Sequence, residues 1–263
     1  ANANADQHVE KTMDHLFGEH QPYKHFFFAL KDAVLHNQRQ YVSELMEYPI
    51  SIYGEDHKYV IQDKAEFLEL YDAIFSEHML TVLRQQEFKD LFAKWSGVMI
   101  GQGEIWFHGT CPDPDCQRVK IEVKSLYNPS FFTSAQGKRA FNTFMEKEKS
   151  KLHHSLSRFF EPVLLWHTKN FIIRIDRIGT DNYRYAAWNI GSDQSKKPNI
   201  ILKKGQLFRD GSGGNHHYEF KKGRYTYTCS VNLLGAADTP PGSIEVFENR
   251  KRILYEPVIK AFN

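Results

Sequence analysis

The segment Gly97-Val-Met-Ile-Gly-Gln-Gly-Glu-Ile-Trp-Phe107 is the stretch that most strongly indicates the fold of the chain. It contains two short apolar runs, Val98-Met-Ile100 and Ile105-Trp-Phe107, rich in the β-branched and aromatic residues that favour β-strands. Segments 88–95 and 119–127 also have the composition of strands, and they are joined to it by a Ser-Gly turn and by a loop containing two cysteines. We therefore expect three long antiparallel strands over residues 88–95, 98–108 and 119–127.

The region before these strands has a mixed pattern. Apolar side chains between Pro22 and Met46 recur mostly three and four positions apart, which predicts one long amphipathic helix. Residues 48–53 and 58–62 then have the composition of two short strands on either side of a turn. The pattern predicts a small hairpin after the first helix.

Two further helices are indicated by their first residues. Asp63 is followed three positions later by Glu66, which is a variant of the capping box, and Ser76 is a typical cap for a third, shorter helix. The predicted order is therefore helix, hairpin, helices and three long strands. That order is expected when a strongly bent sheet wraps a layer of helices into a cone.

Two stretches carry a resemblance to a known family. Ile61-Gln-Asp-Lys-Ala-Glu-Phe67 and Asp90-Leu-Phe-Ala-Lys-Trp-Ser-Gly-Val-Met-Ile-Gly-Gln-Gly-Glu-Ile-Trp-Phe107 resemble exported bacterial proteins of the NTF2-like superfamily. The resemblance covers roughly residues 20–128 and implies a cone of helices on a curved antiparallel sheet. It implies fold far more than function, because most of these relatives lack an assigned activity.

The pattern changes in the second half of the chain. Residues 134–156 are amphipathic at helical spacing, and after Pro162 the apolar period becomes two, with turn residues between short segments. We expect an α+β fold with an NTF2-like domain at residues 1–130, a connecting amphipathic helix at 131–161 and an antiparallel β-sandwich-like or jelly-roll-like domain at 162–263.

Composition excludes some classes of partner. The 34 basic and 32 acidic residues are interleaved and give a net charge of +2, so no face is expected to neutralise a nucleic-acid backbone. Apolar runs are of strand length and fall short of the about 20 residues that a membrane span needs. No metal-binding or cofactor motif is present in the sequence, so neither a metal nor a cofactor is predicted.

The cysteines and the first residues bear on location. Cys111 and Cys116 flank Pro-Asp-Pro-Asp, a stiff spacer that favours a disulfide and an oxidising compartment, with two free thiols as the alternative. Cys229 lies alone in a strand pattern and is expected to be a buried thiol. The initial Ala-Asn-Ala-Asn-Ala fits either a processed signal end or a remnant of expression. We expect a periplasmic or secreted protein.

Strand alternation suggests a pocket inside the cone. It places Glu104, Trp106 and His108 on one strand face, where Glu104 is the candidate general base of a proton-transfer reaction. The structural alternative has Trp106 in the core, Glu104 hydrogen-bonded to a neighbouring strand and His108 in solvent. The full set of predicted pocket residues is Tyr48, Tyr53, Tyr71, Trp95, Glu104, Trp106 and His108.

A glycine-rich loop in the second half is the other candidate site. Three glycines between Asp210 and His216 permit left-handed backbone, while polar side chains supply hydrogen-bonding groups. A well-ordered connection between strands is the alternative. The residues predicted for recognition loops are Asp210, Ser212, Asn215, His216 and Trp188.

These observations favour an exported, non-catalytic binding or interaction protein of the cell envelope. Toxin neutralisation, by an immunity or inhibitor protein, is a narrower form of that hypothesis. The alternatives are a proton-transfer enzyme, such as an isomerase, dehydratase or lyase, and a small-molecule carrier, both of which would use the cone. The expected partner is an envelope protein, a glycan or a small apolar ligand. His15, His20 and His25, which recur at intervals of five, are expected to face solvent.

Overall fold

The computed structural model describes residues 3–111, 119–211, 214–233 and 238–262. The chain forms two compact units, Ala1–Phe144 and Met145–Asn263. Helices and a curled, mainly antiparallel sheet make up the first unit, and strands dominate the second, so the fold is α+β. Within the described ranges, the helices are all too short or too polar to cross a membrane.

The elements of the first unit alternate between helices and strands. The helices are α1 Ala3–Phe17, α2 Gln21–Leu35, α3 Arg39–Glu44, α4 Lys64–Glu69, α5 Tyr71–Ile74, α6 Glu77–Gln85, α7 Pro129–Thr133 and α8 Ala135–Ser150, the last of which contains the division between the two units. The strands are β1 Met46–Tyr53, β2 Lys58–Ile61, β3 Phe92–Lys94, β4 Gly97–Ile100, β5 Ile105–Thr110 and β6 Lys120–Tyr127.

The six strands pair in the order β2-β1-β6-β5-β4-β3. All neighbours are antiparallel except β1 and β6, which run parallel. Side chains fill the space between the sheet and the helices: the ring centroids of Phe26 on α2 and Phe107 on β5 are 5.1 Å apart. The largest fully buried side chains of this unit are Phe27, Phe67, Phe107, Phe131, Met13, Leu30, Met46, Ile50, Ile52 and Ile61.

Local sequence explains where the helices begin and end. The Asp63 carboxylate accepts the backbone N–H of Glu66 at 3.0 Å, so the predicted cap of α4 is confirmed. The single long helix predicted after Pro22 ends at Leu35, because Asn37 adopts a left-handed φ of 55° that interrupts the helix before α3. The hairpin of β1 and β2 lies where the sequence predicts it.

The predicted strand over residues 88–95 is shorter in the structure. Residues Phe88–Asp90 form a turn of 3₁₀-helix, in which the buried Phe88 packs at 6.1 Å from Phe27, and β3 contains only Phe92–Lys94. Phe88 therefore anchors a helical turn here, since burial of its ring outweighs the local preference for a strand.

The second unit is built from consecutive strands. These are β7 Glu161–His167, β8 Phe171–Gly179, β9 Asn182–Asn189, β10 Ile200–Arg209, β11 His216–Lys222, β12 Tyr225–Val231, β13 Gly242–Glu248, β14 Lys251–Pro257 and β15 Lys260–Phe262. From β7 to β14 each strand pairs with the next one along the chain, and β15 pairs with β7.

The two end strands of this sheet are consecutive in the chain. Only Val258 and Ile259 separate β14 from β15, yet β14 pairs with β13 while β15 pairs with β7, at the other end of the strand order. A Cβ built at Gly242 on β13 would lie 2.6 Å from the Trp166 ring on β7, so these two strands approach each other through side chains. The described strands of this unit thus form one antiparallel nine-stranded sheet, and the sandwich-like or jelly-roll-like arrangement stays a prediction.

A buried ionic cluster lies on the face of β8 and β9 opposite the main core of this unit. The carboxylate of Asp176 is 2.8 Å from Arg174 and 2.6 Å from Arg184, and the three side chains are almost completely buried. Arg184 also donates to the carbonyl oxygens of Leu156 and Arg158 at 2.8 and 3.0 Å. The cluster therefore holds the segment before β7 against the sheet.

Replacing Asp176 by Asn should reduce the free energy of unfolding by about 3–5 kcal/mol, because two buried guanidinium groups lose their counter-charge. Urea unfolding followed by tryptophan fluorescence measures the change. Asp181→Asn is the matched control, since Asp181 is exposed in a turn at a φ of 47° that Asn tolerates. Equal losses in the two variants would contradict a stabilising role for the cluster.

Glu256 links β14 to the turn between β7 and β8. Its carboxylate on β14 accepts the Thr168 hydroxyl at 2.6 Å and the Asn170 backbone N–H at 3.1 Å, both from that turn. Burial acts to raise the pKa of Glu256, but the hydrogen bonds from Thr168 and Asn170 outweigh it and the net pKa is lowered. The ionised carboxylate therefore stabilises the contact between β14 and this turn.

Because the folded pKa is lowered, this stabilisation is fully present above the ordinary value of 4.5 and is lost as the pH falls through the folded pKa. Glu256→Gln should thus lower the urea midpoint at pH 7, and the difference from the parent protein should shrink by about pH 2–3. Urea titrations at both pH values test this. A difference of the same size at both would contradict it.

Candidate binding site

Residues 101–104 form a turn in the middle of the segment predicted as one long strand. The backbone φ is +70° at Gly101 and +119° at Gly103, values that favour glycine, and the turn separates β4 from β5. A Cβ built at Gly101 would lie 2.2 Å from Glu104 Oε2 and 2.7 Å from Val82. The predicted strand 98–108 is therefore two strands, and Gly101 and Gly103 lie in a tight turn between them.

The Glu104 carboxylate is held inside this turn. It accepts the Gln102 backbone N–H at 2.5 Å, and its other oxygen lies 3.1 Å from Nε2 of His78 on α6. The residue is buried, and the close approach of Gly101 leaves no space beside the carboxylate. These contacts correspond to the structural alternative, in which Glu104 stabilises local backbone.

Trp106 and His108 lie on the outer face of the sheet. Their neighbours on β5, Ile105 and Phe107, are buried against the helices, and successive side chains of a strand point to opposite faces. The Lys94 ammonium lies 4.8 Å from the centre of the Trp106 ring, and His108 Nε2 is 2.7 Å from the Glu47 carboxylate. The structure therefore does not bring Glu104, Trp106 and His108 together as one pocket wall.

The four remaining predicted pocket residues occupy two different environments. Tyr48 and Tyr71 pack on Phe67 in the core, at ring distances of 6.2 and 6.0 Å, and burial raises the pKa of Tyr71 to about 12. Tyr48 donates its hydroxyl to the carbonyl oxygen of Ser43, while the Tyr71 hydroxyl has no hydrogen-bond partner among the described residues. Tyr53 and Trp95, by contrast, are exposed.

The described residues on both sides of the predicted recognition loop of the second unit are hydrogen-bonded to one another. The Asp210 N–H donates to the Asn215 carbonyl at 2.8 Å, and the Asp210 carboxylate lies 2.9 Å from His217 Nδ1. His216 donates from Nδ1 to the Gly214 carbonyl at 2.8 Å. These bonds join the end of β10 to the start of β11.

Several other predicted positions are buried or outside the described part of the chain. Trp188 on β9 is fully buried and donates its indole N–H to the Lys196 carbonyl at 2.8 Å, so it does not form part of a surface loop. Cys229 is buried, as predicted, and burial raises the pKa of its thiol. Ser212 and Cys116 lie outside the described residues, so the predicted pairing of Cys111 does too.

A cavity that borders the predicted pocket residue Trp95 lies between α1 and β3. It has a volume of about 520 Å³, and Trp95, 56% exposed, lies at its edge beside β3. We call this cavity the Trp95 groove. Its lining residues are His8, Lys11, Thr12, His15, Leu16, Ala93, Lys94 and Trp95.

Helix α1 supplies one wall of the Trp95 groove. The five lining residues from this helix are spaced three and four positions apart or are adjacent, which places them on one helix face. His15, expected to face solvent, is indeed exposed, but it borders the groove. The spacing of His8, Lys11 and His15 was the available sequence signal, and it was missed because the helix itself was not predicted.

The charge on the walls of the Trp95 groove is of one sign. Two lysines and two histidines line it, and the lining contains no acidic residue. Neither Lys11 nor Lys94 has a carboxylate partner within salt-bridge distance among the described residues, although Lys94 also contacts the Trp106 ring. An apolar surface beside unpaired cations is suited to a ligand that is both flat and negatively charged.

A second, smaller cavity of about 360 Å³ lies at the hairpin of β1 and β2. His57 forms one side of it and packs against Phe132 and Phe141 at ring distances of 5.4 and 4.8 Å. Its lining residues are Glu55, Asp56, His57, Pro129, Ser130, Phe132 and Thr133. In the described part of the chain, no group of three or more His, Cys, Asp or Glu side chains could hold a metal ion.

The turn at residues 101–104 gives a direct test of the role of Glu104. Gly101→Ala should destabilise the first unit by roughly 1–3 kcal/mol more than Gly18→Ala, because both positions have positive φ but only Gly101 lacks space for a methyl group. Thermal unfolding of the two variants compares them. Equal losses would show that the Glu104 carboxylate does not occupy that space.

Comparison of the chain with protein-family models, with curated proteins and with solved structures finds no match in any of the three. The candidate site therefore rests on the contacts, burial and charge of the described residues. The Trp95 groove combines these features more fully than the predicted cone pocket does.

Proposed function

We propose that this protein is a non-catalytic binding protein that takes its ligand in the Trp95 groove. The observation that carries the proposal is the exposed Trp95 ring at the edge of a cavity of about 520 Å³. An indole offers a large, stiff apolar surface at low entropic cost, which is why tryptophan often anchors binding sites. The volume is within the range of about 300–1,000 Å³ that is typical of small-ligand sites.

The contacts of Glu104 favour binding over catalysis. Both of its carboxylate oxygens already have partners, in Gln102 and His78, and Glu104 does not line either of the two cavities described above. A general base must reach the proton that it removes within about 3 Å, directly or through one water. The proton-transfer alternative therefore has less support than binding, and a carrier would hold its cargo in the groove.

The family and location of the protein are part of the proposal. We propose an NTF2-like relationship for the first unit, supported by the order of helix, hairpin, helices and strands and by the curled sheet packed against the helices. We also propose a periplasmic or secreted location, supported by the spacing of Cys111 and Cys116. The narrower form of the function is capture of an envelope component or a toxin.

Trp95→Ala should weaken binding of the neutral fluorescent probe N-phenyl-naphthylamine at least about tenfold, because the exposed indole supplies the flat apolar contact. Fluorescence titration of the purified protein measures the dissociation constant. Phe92→Ala is the matched control: Phe92 lies on β3, three residues before Trp95, and is 51% exposed, but it does not line the groove. Equal weakening in both variants, or no binding by the parent, would rule out this site.

A further inference from the structure

We infer that the ligand of the Trp95 groove is a small organic anion that carries an aromatic or other flat apolar ring system. The inference rests on the proposed function of the groove and names its ligand class. Three observations support it. The lysines of the groove have no salt-bridge partner among the described residues, the nearby acids of α1 pair with other side chains, and part of the lining is apolar.

The first feature is the pair of lysines on the two walls. Lys11 on α1 and Lys94 on β3 both line the groove, and the Lys94 ammonium also lies 4.8 Å from the centre of the Trp106 ring. Neither forms a salt bridge within the described residues. A negatively charged group in the groove would therefore gain attraction without displacing an existing ion pair.

The second feature is the arrangement of the acids on α1. Glu10 lies 2.6 Å from the Lys24 ammonium, and Asp14 lies 2.8 Å from His20 Nδ1, so both carboxylates face other partners and not the groove. Glu10 and Asp14 thus lie towards the start of the following helix, whereas Lys11 on the same helix lines the groove. A cationic ligand would find no counter-charge in the lining.

The third feature is the apolar part of the lining. Leu16, Ala93 and Trp95 form this part. A cavity of about 520 Å³ is within the size range of sites for small organic molecules, and it is small for a folded protein segment. These dimensions favour a small molecule over an acidic peptide.

Two probes with the same ring skeleton separate the charge from the apolar contact. Anilinonaphthalene sulfonate is N-phenyl-naphthylamine with one added sulfonate, so the ratio of their dissociation constants reports the contribution of the anion. We expect the sulfonate to bind the full-length protein at least about fivefold more tightly at low salt. This preference should decrease when the ionic strength is raised from about 0.02 to about 0.5 M, because exposed charges are screened.

Charge-neutralising variants locate the effect. Lys11→Gln and Lys94→Gln should each weaken sulfonate binding on the order of twofold to fivefold and leave the neutral probe unchanged. Lys64→Gln is the matched control, since Lys64 is exposed on α4 and does not line the groove. Circular dichroism of each variant confirms that the comparison is made between folded proteins.

The outcomes distinguish this inference from the proposed function. Equal affinity for both probes, with no effect of either lysine variant, overturns the anion assignment while the Trp95 groove remains a binding site. Loss of Trp95-dependent binding for both probes overturns the function itself. Displacement of the sulfonate probe by a short polyglutamate peptide at lower concentration than by naphthalene sulfonate would identify an acidic protein segment and overturn the small-molecule assignment.

Discussion

The packing of aromatic side chains between α2 and the curled sheet is the constraint on which the first unit depends. Phe27 and Phe107 are completely buried, and Phe26 contacts Phe107 at 5.1 Å, so the concave side of the sheet is occupied by side chains. Protein interiors are packed at near-crystalline density, and a filled core of this kind leaves little space for a ligand. A binding site on this unit is therefore expected at its surface, where the Trp95 groove lies.

A different constraint governs the second unit. Strands β7 to β14 follow one another in space as in sequence, and the short segment between β14 and β15 joins the first strand to the last. Because β14 and β15 are the two end strands of the sheet and are consecutive in the chain, this segment keeps the two ends near each other. The Glu256 carboxylate on β14 accepts hydrogen bonds from Thr168 and Asn170, so side-chain contacts also hold β14 to the turn between β7 and β8.

The parts of the fold that could be predicted from sequence are those set by local interactions. The cap at Asp63 and the alternation along β8 and β9 depend on residues within a few positions of one another. The turn at 101–104, across which Ile100 and Ile105 pair directly, could not be predicted because a glycine within a strand pattern indicates a bulge or a close backbone approach as readily as a turn. Likewise, period-two patterns give the faces of strands but not their partners, so they do not predict the strand order of the second sheet.

The Trp95 groove could not be predicted from local sequence patterns. Its two walls, which contain Lys11 and Lys94, are about eighty residues apart in the sequence. Its two types of interaction also have different roles. Exposed charge pairs in water contribute about 0–1 kcal/mol each, whereas burial of an aromatic face contributes more and is indifferent to ligand charge. The indole should therefore supply most of the affinity, and Lys11 and Lys94 the discrimination between an anion and its neutral analogue.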